Sequence, residues 1–189
     1  MKRVTFYLSG SIKKGNADDG KLCWGDSEKE AIRKGLEGFE VVFLDPQLGG
    51  KHLEDPMAAF GHDMALVASS DFVLVDAREK RGLGVGAEMV AAKLRGIPLV
   101  SIVPRNSHYH RGSLNYLGTE VKDYMHPFVF SLSDAVVEDL AGAIDWIKGQ
   151  LKSPKPVKGI GVMEEAIKRH RDRNLDGEKE LKVFLPARR

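Results

Sequence analysis

Short apolar segments alternate with longer segments of helical periodicity along the first 150 residues. The apolar, β-branched segments predict strands at 4–9, 39–44, 71–76, 97–103 and 128–130. Between them, apolar positions recur at helical spacing and predict helices at 28–36, 56–69, 85–95 and from 133 or 134 to 151. Residues 104–127 show neither pattern, and we expect them to form a long loop.

The order of these elements predicts the fold class. Strands that alternate with helices indicate right-handed βαβ units and a parallel sheet. The continuous apolar stretch Phe72–Val75 is typical of a strand with both faces covered. We therefore predict a three-layer α/β domain with a parallel sheet of about five strands. Ligands of such sheets bind outside the carboxyl ends of the strands, so the residues that follow each strand are the candidates for chemistry.

The last part of the chain differs from the rest, and we divide the protein into a main domain at 1–151 and an extension at 152–189. The segment SPKPVKGIG predicts a linker, residues 163–173 predict a short charged helix, and residues 181–185 predict a strand. The extension holds 11 Lys and Arg against 6 Asp and Glu, whereas the whole chain has a net charge of only +2. A solvated amphipathic helix accounts for this excess, so we do not expect a nucleic-acid partner.

Composition narrows the class of protein further. Hydrophobic residues make up 42% and charged residues 30% of the chain, as in ordinary globular proteins. The longest apolar runs are strand-sized, far below the roughly 20 residues that span a bilayer, and the first one is too short for a signal peptide. The single cysteine, Cys23, excludes an intramolecular disulfide and a cysteine-based zinc site. We expect a cytoplasmic protein without membrane association.

The most distinctive turn is GLGVGAE at residues 82–88, between a strand and a helix. It nearly matches a dinucleotide-binding fingerprint, but no acidic residue follows at the position that would hold the ribose, so this match is weak. Gly84 and Gly86 would let a ligand approach the backbone closely. Glu88, in or near the first helical turn, is either a capping residue or a carboxylate kept ionised as a nucleophile.

The turn after the first strand, YLSGSIKKG, is the candidate anion site. Backbone N–H groups around Gly10, Ser11 and Ile12 can form a nest, and Ser9 and Lys13 add further donors. A phosphate is the natural ligand of such a turn, although the same residues also suit an ordinary strand-to-helix connection.

Three other polar features stay open. The pair His62-Asp63 lies within an apolar helix, where Asp63 either meets a sugar hydroxyl or forms a structural pair. The spacing of His108 and His110 is weak support for a metal site, because no third ligand is nearby in sequence. Trp24 either stacks on a base or covers the site.

Taken together, several segments resemble the nucleoside 2-deoxyribosyltransferase superfamily. They are YLSGSIKKGNAD, SSDFVLVDA, GLGVGAEMVAAKLRGIPLVSIVP and GSLNYLG. The resemblance covers about residues 3–150 and implies a flavodoxin-like fold and cleavage of N-glycosidic bonds. The first segment is most similar to the branch that hydrolyses deoxynucleoside 5′-monophosphates, the hydroxymethyl-dUMP N-hydrolase type.

The resemblance also implies roles for single residues. Glu88 matches the catalytic nucleophile, Asp63 the aspartate near the sugar and leaving base, and Tyr7 the tyrosine that orients the nucleophile. Asn115 matches a polar residue supplied by a neighbouring subunit, which implies a homodimer or higher homo-oligomer with shared active sites. The phosphate loop matches Gly10, Ser11, Ile12 and Lys13. Gly82 departs from the family, since the hydrolases have serine there and the transferases aspartate.

The expected function is therefore cleavage of the N-glycosidic bond of a (deoxy)nucleoside 5′-monophosphate through a glycosyl intermediate on Glu88, without a metal or organic cofactor. Base exchange between deoxynucleosides is the alternative within the same chemistry. A non-catalytic nucleotide-binding module is the alternative from another class.

Overall fold

The computed structural model describes residues 1–12, 20, 22–46 and 54–174. Its elements in chain order are β1 (Lys2–Ser9), α1 (Asp26–Gly35), β2 (Phe39–Leu44), α2 (Pro56–Ala68), β3 (Phe72–Asp76), α3 (Leu83–Leu94), β4 (Leu99–Ile102), β5 (His110–Tyr116), β6 (Thr119–Met125), α4 (Pro127–Leu132), β7 (Ala135–Val137), α5 (Leu140–Lys152) and α6 (Val162–Asn174). The predicted strand at 181–185 lies outside the described residues. Among those described, no helix is long and apolar enough to cross a membrane.

The main sheet has five parallel strands in the order β2-β1-β3-β4-β7. This is the flavodoxin-like order, in which the direction of winding reverses between β1 and β3. The predicted α/β class with a five-stranded parallel sheet is confirmed. The reversal places the carboxyl ends of β1 and β3, at Ser9 and Asp76, side by side in the region where such sheets bind ligands.

Alternate residues of each strand face opposite layers of helices. On β3, Val73 and Val75 belong to the core shared with α2, α3 and α4, whereas Phe72 and Leu74 belong to the core shared with α1 and α5. The period of two explains this division. Both layers are apolar, which is why the strand is apolar throughout, as predicted.

The position of the fifth strand differs from the prediction. Residues 128–130 lie inside helix α4, and the fifth strand is β7, whose residues the sequence pattern predicts as part of the last helix. Pro127 stands at the start of α4, where its fixed φ favours a helix and its missing N–H costs nothing. Apolar runs of three residues fit a strand or a helix equally well by periodicity, so the sequence pattern could not separate the two.

The predicted loop at 104–127 contains an antiparallel hairpin, β5–β6. Its two strands are joined by Leu117 and Gly118, whose φ angles of 49° and 85° are those of a type I′ turn. Such turns usually contain Asn-Gly. Because a leucine occupies the first position of the turn, the sequence pattern does not predict this hairpin.

A buried ion pair fastens the segment after α5 to the sheet. The Lys93 ammonium group is fully buried and donates to Asp134 Oδ2 (2.6 Å) and to the Ile97 carbonyl (3.1 Å). The other carboxylate oxygen of Asp134 accepts the backbone N–H of Lys158 (2.6 Å). Burial lowers the pKa of Lys93, and Asp134 opposes that shift. The charged helix predicted at 163–173 is present as α6.

Candidate active site

The site is centred on a buried carboxyl group at the β1–β3 reversal point. Tyr7 and Ser9 are two residues apart on β1 and therefore point to the same side of the sheet, toward α3. The Ser9 hydroxyl donates a 2.5 Å hydrogen bond to Glu88 Oε2. Ser9 is fully buried and Glu88 is 6% exposed. The sequence-predicted nucleophile and two residues of the first strand are thus brought together.

Helix α3 presents Glu88 to this point from its second turn. The helix begins at Leu83, two residues earlier than predicted, so Glu88 is its sixth residue and not part of its first turn. Side chains of a helix lean toward its N-terminus, and the Glu88 carboxylate lies over the preceding turn. A Cβ on Gly84 would stand 3.7 Å from Glu88 Oε1. Gly84 therefore leaves space beside the carboxylate, and Gly86 is open to solvent.

Opposing influences act on the ionisation of Glu88. Burial raises the pKa of Glu88, hydrogen bonding to Ser9 and interaction with Tyr7 lower it, and the charge of Asp63 raises it again; the net effect is upward. The Tyr7 hydroxyl is buried and lies near the carboxylate, although not in regular hydrogen-bond geometry. Burial, followed by the charges of Glu88 and Asp63, raises the pKa of Tyr7, so Tyr7 remains a neutral phenol.

Asp63 reaches the site from α2. It is partly exposed and lies 3.3 Å from Nδ1 of His62, its neighbour in sequence. Its charge acts on both Glu88 and Tyr7, as the pKa shifts of those two groups show. Asp63 and Glu88 are therefore within electrostatic range of each other although 25 positions separate them in the sequence.

The turn after β1 is tightly packed. A Cβ on Gly10 would stand 3.3 Å from both the Asp76 Cβ and the Trp24 Nε1. Trp24 is buried and donates from its indole nitrogen to the Ser9 carbonyl (3.0 Å). Trp24 thus covers the back of the turn. Ser11 and Ile12 are partly exposed next to it, and the predicted contribution of Lys13 lies outside the described residues.

Two arginines that the sequence analysis missed converge on Asp76, which is fully buried at the end of β3. Arg78 bonds both carboxylate oxygens, Nε to Oδ1 at 2.8 Å and Nη2 to Oδ2 at 3.0 Å, and also donates to Glu28 (2.5 Å). Arg81 Nη2 lies 2.6 Å from Asp76 Oδ2. Burial alone would raise the pKa of Asp76, but Arg78 and Arg81 outweigh it and the pKa is lowered.

Arg81 also links β3 to the turn after β1. Its Nη1 donates to the Ser11 hydroxyl (2.6 Å) and the Leu22 carbonyl (3.1 Å), and its backbone N–H donates to the Tyr109 hydroxyl (2.8 Å). Its side chain is only 2% exposed. No local sequence pattern marks this residue, because its contacts to Ser11, Leu22 and Tyr109 lie 28 to 70 positions away.

The remaining candidates lie on the hairpin. Asn115 is near the exposed tip, where its side chain accepts the Gly118 N–H (3.0 Å), and it has no described hydrogen bond to another candidate residue. By strand geometry, Asn115 is about 17 Å along β5 from His110 at its base. His110 pairs with Asp123 (2.9 Å), and His108 packs edge-on against Tyr109. These two histidines therefore have partners other than a metal.

A cavity of about 720 Å³ lies beside α3, and Glu88 is not among its lining residues. Apolar side chains from α2, α3 and α4 dominate its wall, among them Phe60, Leu94 and Phe128, which are 56%, 63% and 70% exposed. This apolar groove therefore borders the Glu88 site, with which it shares Arg81.

Comparison with known proteins supports the fold. No protein-family model and no curated protein matches this chain. Among solved structures, the chain is similar to a 2-desoxiribosyltransferase from Leishmania mexicana, with 18% identity over 76% of this chain and 96% of that one, and a TM-score of 0.53. It is also similar to a CMP N-glycosidase, BcmB, from Clostridium botulinum, with 13% identity over 76% and 97% of the two chains, and a TM-score of 0.40. The Leishmania structure therefore shares the α/β fold with most of this chain.

Proposed function

We propose that this protein cleaves the N-glycosidic bond of a (deoxy)nucleoside 5′-monophosphate through a covalent glycosyl intermediate on Glu88. One observation carries the proposal: a buried glutamate is held by Ser9 at the reversal point of the sheet, with a second carboxylate, Asp63, in electrostatic range. Two carboxyl groups at one site are the usual apparatus for glycosidic bond cleavage. The solved structures similar to this chain include a 2-desoxiribosyltransferase, which is consistent with chemistry at nucleosides.

In the proposed first step, a Glu88 oxygen attacks C1′ of the sugar while the bond from C1′ to the base nitrogen breaks. The electron pair of that bond leaves with the base, which needs a proton, and Asp63 is positioned to supply it. The hydrogen bond from Ser9 orients the Glu88 carboxylate, and Tyr7, as a neutral phenol, limits its movement. Water then attacks C1′ and gives its proton to Asp63, which is a carboxylate after the first step, while the bond from C1′ to Glu88 breaks and restores the Glu88 carboxylate. No metal ion or organic cofactor is required in this scheme.

The turn that follows Ser9 is the proposed phosphate site. Gly10, Ser11 and Ile12 offer backbone N–H groups, and Ser11 adds a hydroxyl next to the Arg81 guanidinium group. Lys13 would add a positive charge. A phosphate bound here would extend the substrate from the sugar at Glu88 toward the end of β1.

The test is a panel of nucleosides and their 5′-monophosphates, scored for free base. Glu88→Gln should keep the fold and lose turnover by several orders of magnitude, because the attacking group is gone. Glu30→Gln is the matched control, since Glu30 is an exposed glutamate whose ion pairs among the described residues are with surface Arg33 and Lys34. If Glu88→Gln kept more than about a tenth of the activity, a loss of only about 1.4 kcal/mol in barrier, Glu88 would not be the nucleophile.

The same panel separates the alternatives. Addition of a second free base to the reaction would give a new nucleoside if the protein exchanges bases. A non-catalytic module would bind a nucleotide and release no base from any member of the panel. Equal rates for nucleosides and monophosphates would favour base exchange and contradict the phosphate site.

We also propose that the protein works as a homodimer or higher homo-oligomer with shared active sites. The apolar groove beside α3 leaves Phe60, Leu94 and Phe128 exposed, and contiguous apolar surface of this kind marks protein interfaces. The hairpin that carries Asn115 extends from the same side, because His108 and Tyr109 at its base also line the groove. A second copy on this groove would be within reach of Asn115.

A further inference from the structure

Arg81 is an unusual residue for the interior of the site. Its side chain is 2% exposed, and it stands directly before Gly82, the residue that caps α3. Its Nε donates to the backbone carbonyl of Asp76 (2.5 Å), and its Nη1 donates to the Ser11 hydroxyl and the Leu22 carbonyl. The guanidinium group thus lies between the end of β3 and the turn after β1.

The hydrogen-bonding capacity of Arg81 is not fully used. Nη2 lies 2.6 Å from Asp76 Oδ2, but its N–H bonds have no acceptor in regular hydrogen-bond geometry among the described residues. Asp76 does not require Arg81 as a donor, because Arg78 already bonds both of its carboxylate oxygens. Buried donors without a directed acceptor are rare and call for an explanation.

We propose that Arg81 determines specificity for the 5′-phosphate by donating to a phosphate oxygen beside Ser11. This inference rests on the proposed function, in which the sugar lies at Glu88. Ser9, which bonds Glu88, and Ser11, which bonds Arg81, are two positions apart, so their Cα atoms are at most about 6–7 Å apart. The few bonds that join C1′ to the 5′-phosphate span a similar length. A nucleotide with C1′ at Glu88 therefore directs its phosphate to Arg81.

The surroundings of Arg81 suit this role. Asp76 holds the guanidinium group in place before any ligand arrives, so little side-chain freedom is lost on binding. The two N–H bonds of Nη2 lie on a fixed, permanently charged plane, and such a directed donor suits a phosphate oxygen better than a mobile lysine ammonium group does. A neutral nucleoside would leave these donors without an acceptor, and the site therefore favours the phosphorylated substrate.

The test measures the dissociation constants of ribose 5-phosphate and 2-deoxyribose 5-phosphate by calorimetry, which does not require turnover. Arg81→Met should weaken the tighter of the two by about 10- to 150-fold, the range expected for hydrogen bonds to a charged group. Arg81→Lys keeps the positive charge but lacks the planar guanidinium group, so its dissociation constant should lie between those of the wild type and Arg81→Met. Arg78→Met is the matched control, because Arg78 shares Asp76 but has no described hydrogen bond to Ser11, and it should bind the sugar phosphate like the wild type.

Three results would overturn the inference: no binding of either sugar phosphate by the wild type, unchanged binding by Arg81→Met, or an equal loss in Arg78→Met. If Arg81→Met does not fold, Arg81→Lys and Arg78→Lys are compared instead, and equal affinities reject the role of Arg81. Failure of the proposed function would give a different result from failure of this inference. In that case no free base forms from any nucleotide, although Glu88→Gln and the wild type still bind the sugar phosphate through Arg81.

Discussion

Removal of the Ser9 hydroxyl tests how the site keeps Glu88 ionised. The hydroxyl donates a 2.5 Å hydrogen bond to the carboxylate inside a buried site. After burial, which raises the pKa of Glu88, this bond is the strongest opposing influence. Hydrogen bonds to charged groups contribute about 1.5–3 kcal/mol, so Ser9→Ala should lower the ionised fraction of Glu88 about 10- to 150-fold wherever the carboxyl group is mostly protonated.

The assay is the pH dependence of kcat/KM for the best nucleotide of the panel. The acid limb of the profile should move to higher pH in Ser9→Ala, and the two proteins should converge at alkaline pH, where Glu88 is ionised in both. Ser70→Ala is the matched control, because the buried Ser70 hydroxyl donates to the Val67 carbonyl (2.8 Å) and has no other hydrogen bond within the described part of the chain, so the profile should stay unchanged. A profile for Ser9→Ala that overlays the wild type would refute this reasoning.

Three further predictions follow from the same structure. The pKa of Glu88 is raised in the folded state, so its ionised form destabilises the fold above the unfolded pKa of about 4.3. Glu88→Gln should therefore have a higher melting temperature than the wild type at pH 7. The difference between the two melting temperatures should disappear below about pH 4. Asp63→Asn removes the proton donor of the proposed scheme, so kcat should fall across the whole pH–rate profile. Leu94→Glu puts a charge into the apolar groove and should convert the proposed oligomer into a monomer, measured by light scattering at micromolar concentration. A wild-type monomer with full activity would contradict the proposed shared site.

The sheet and the central carboxylate could be predicted because their signals are local. The apolar run before Asp76 and the glycine turn before Glu88 each occupy fewer than ten consecutive residues, and both patterns follow from strand and helix geometry. The reversal of strand order then brings Ser9 to Glu88 across 79 positions. The role proposed for Asp63 comes from the resemblance to a known family, because the sequence pattern alone leaves this residue open between a sugar contact and a structural pair.

The rest could not be predicted because it depends on contacts between distant segments or on weak local signals. Arg81 gains its place from Ser11, 70 positions away, and its own neighbourhood has the composition of an ordinary polar loop. The hairpin turn at Leu117-Gly118 lacks the usual asparagine. The apolar residues 128–130 fit a strand or a helix equally well, and Pro127 before them favours the helix.

The link between Asp134 and Lys158 determines where this chain can be shortened. A chain cut after residue 151 would remove the backbone N–H that bonds Asp134 Oδ1, while the Lys93 charge would stay buried against the same carboxylate. It would also remove the Lys158 ammonium group from the Ser133 carbonyl (2.6 Å), at the end of α4. Loss of the bond to Asp134 alone should cost about 1.5–3 kcal/mol. A shortened protein for crystallisation or fusion should therefore keep the residues through at least 158, although every candidate site residue lies before 116.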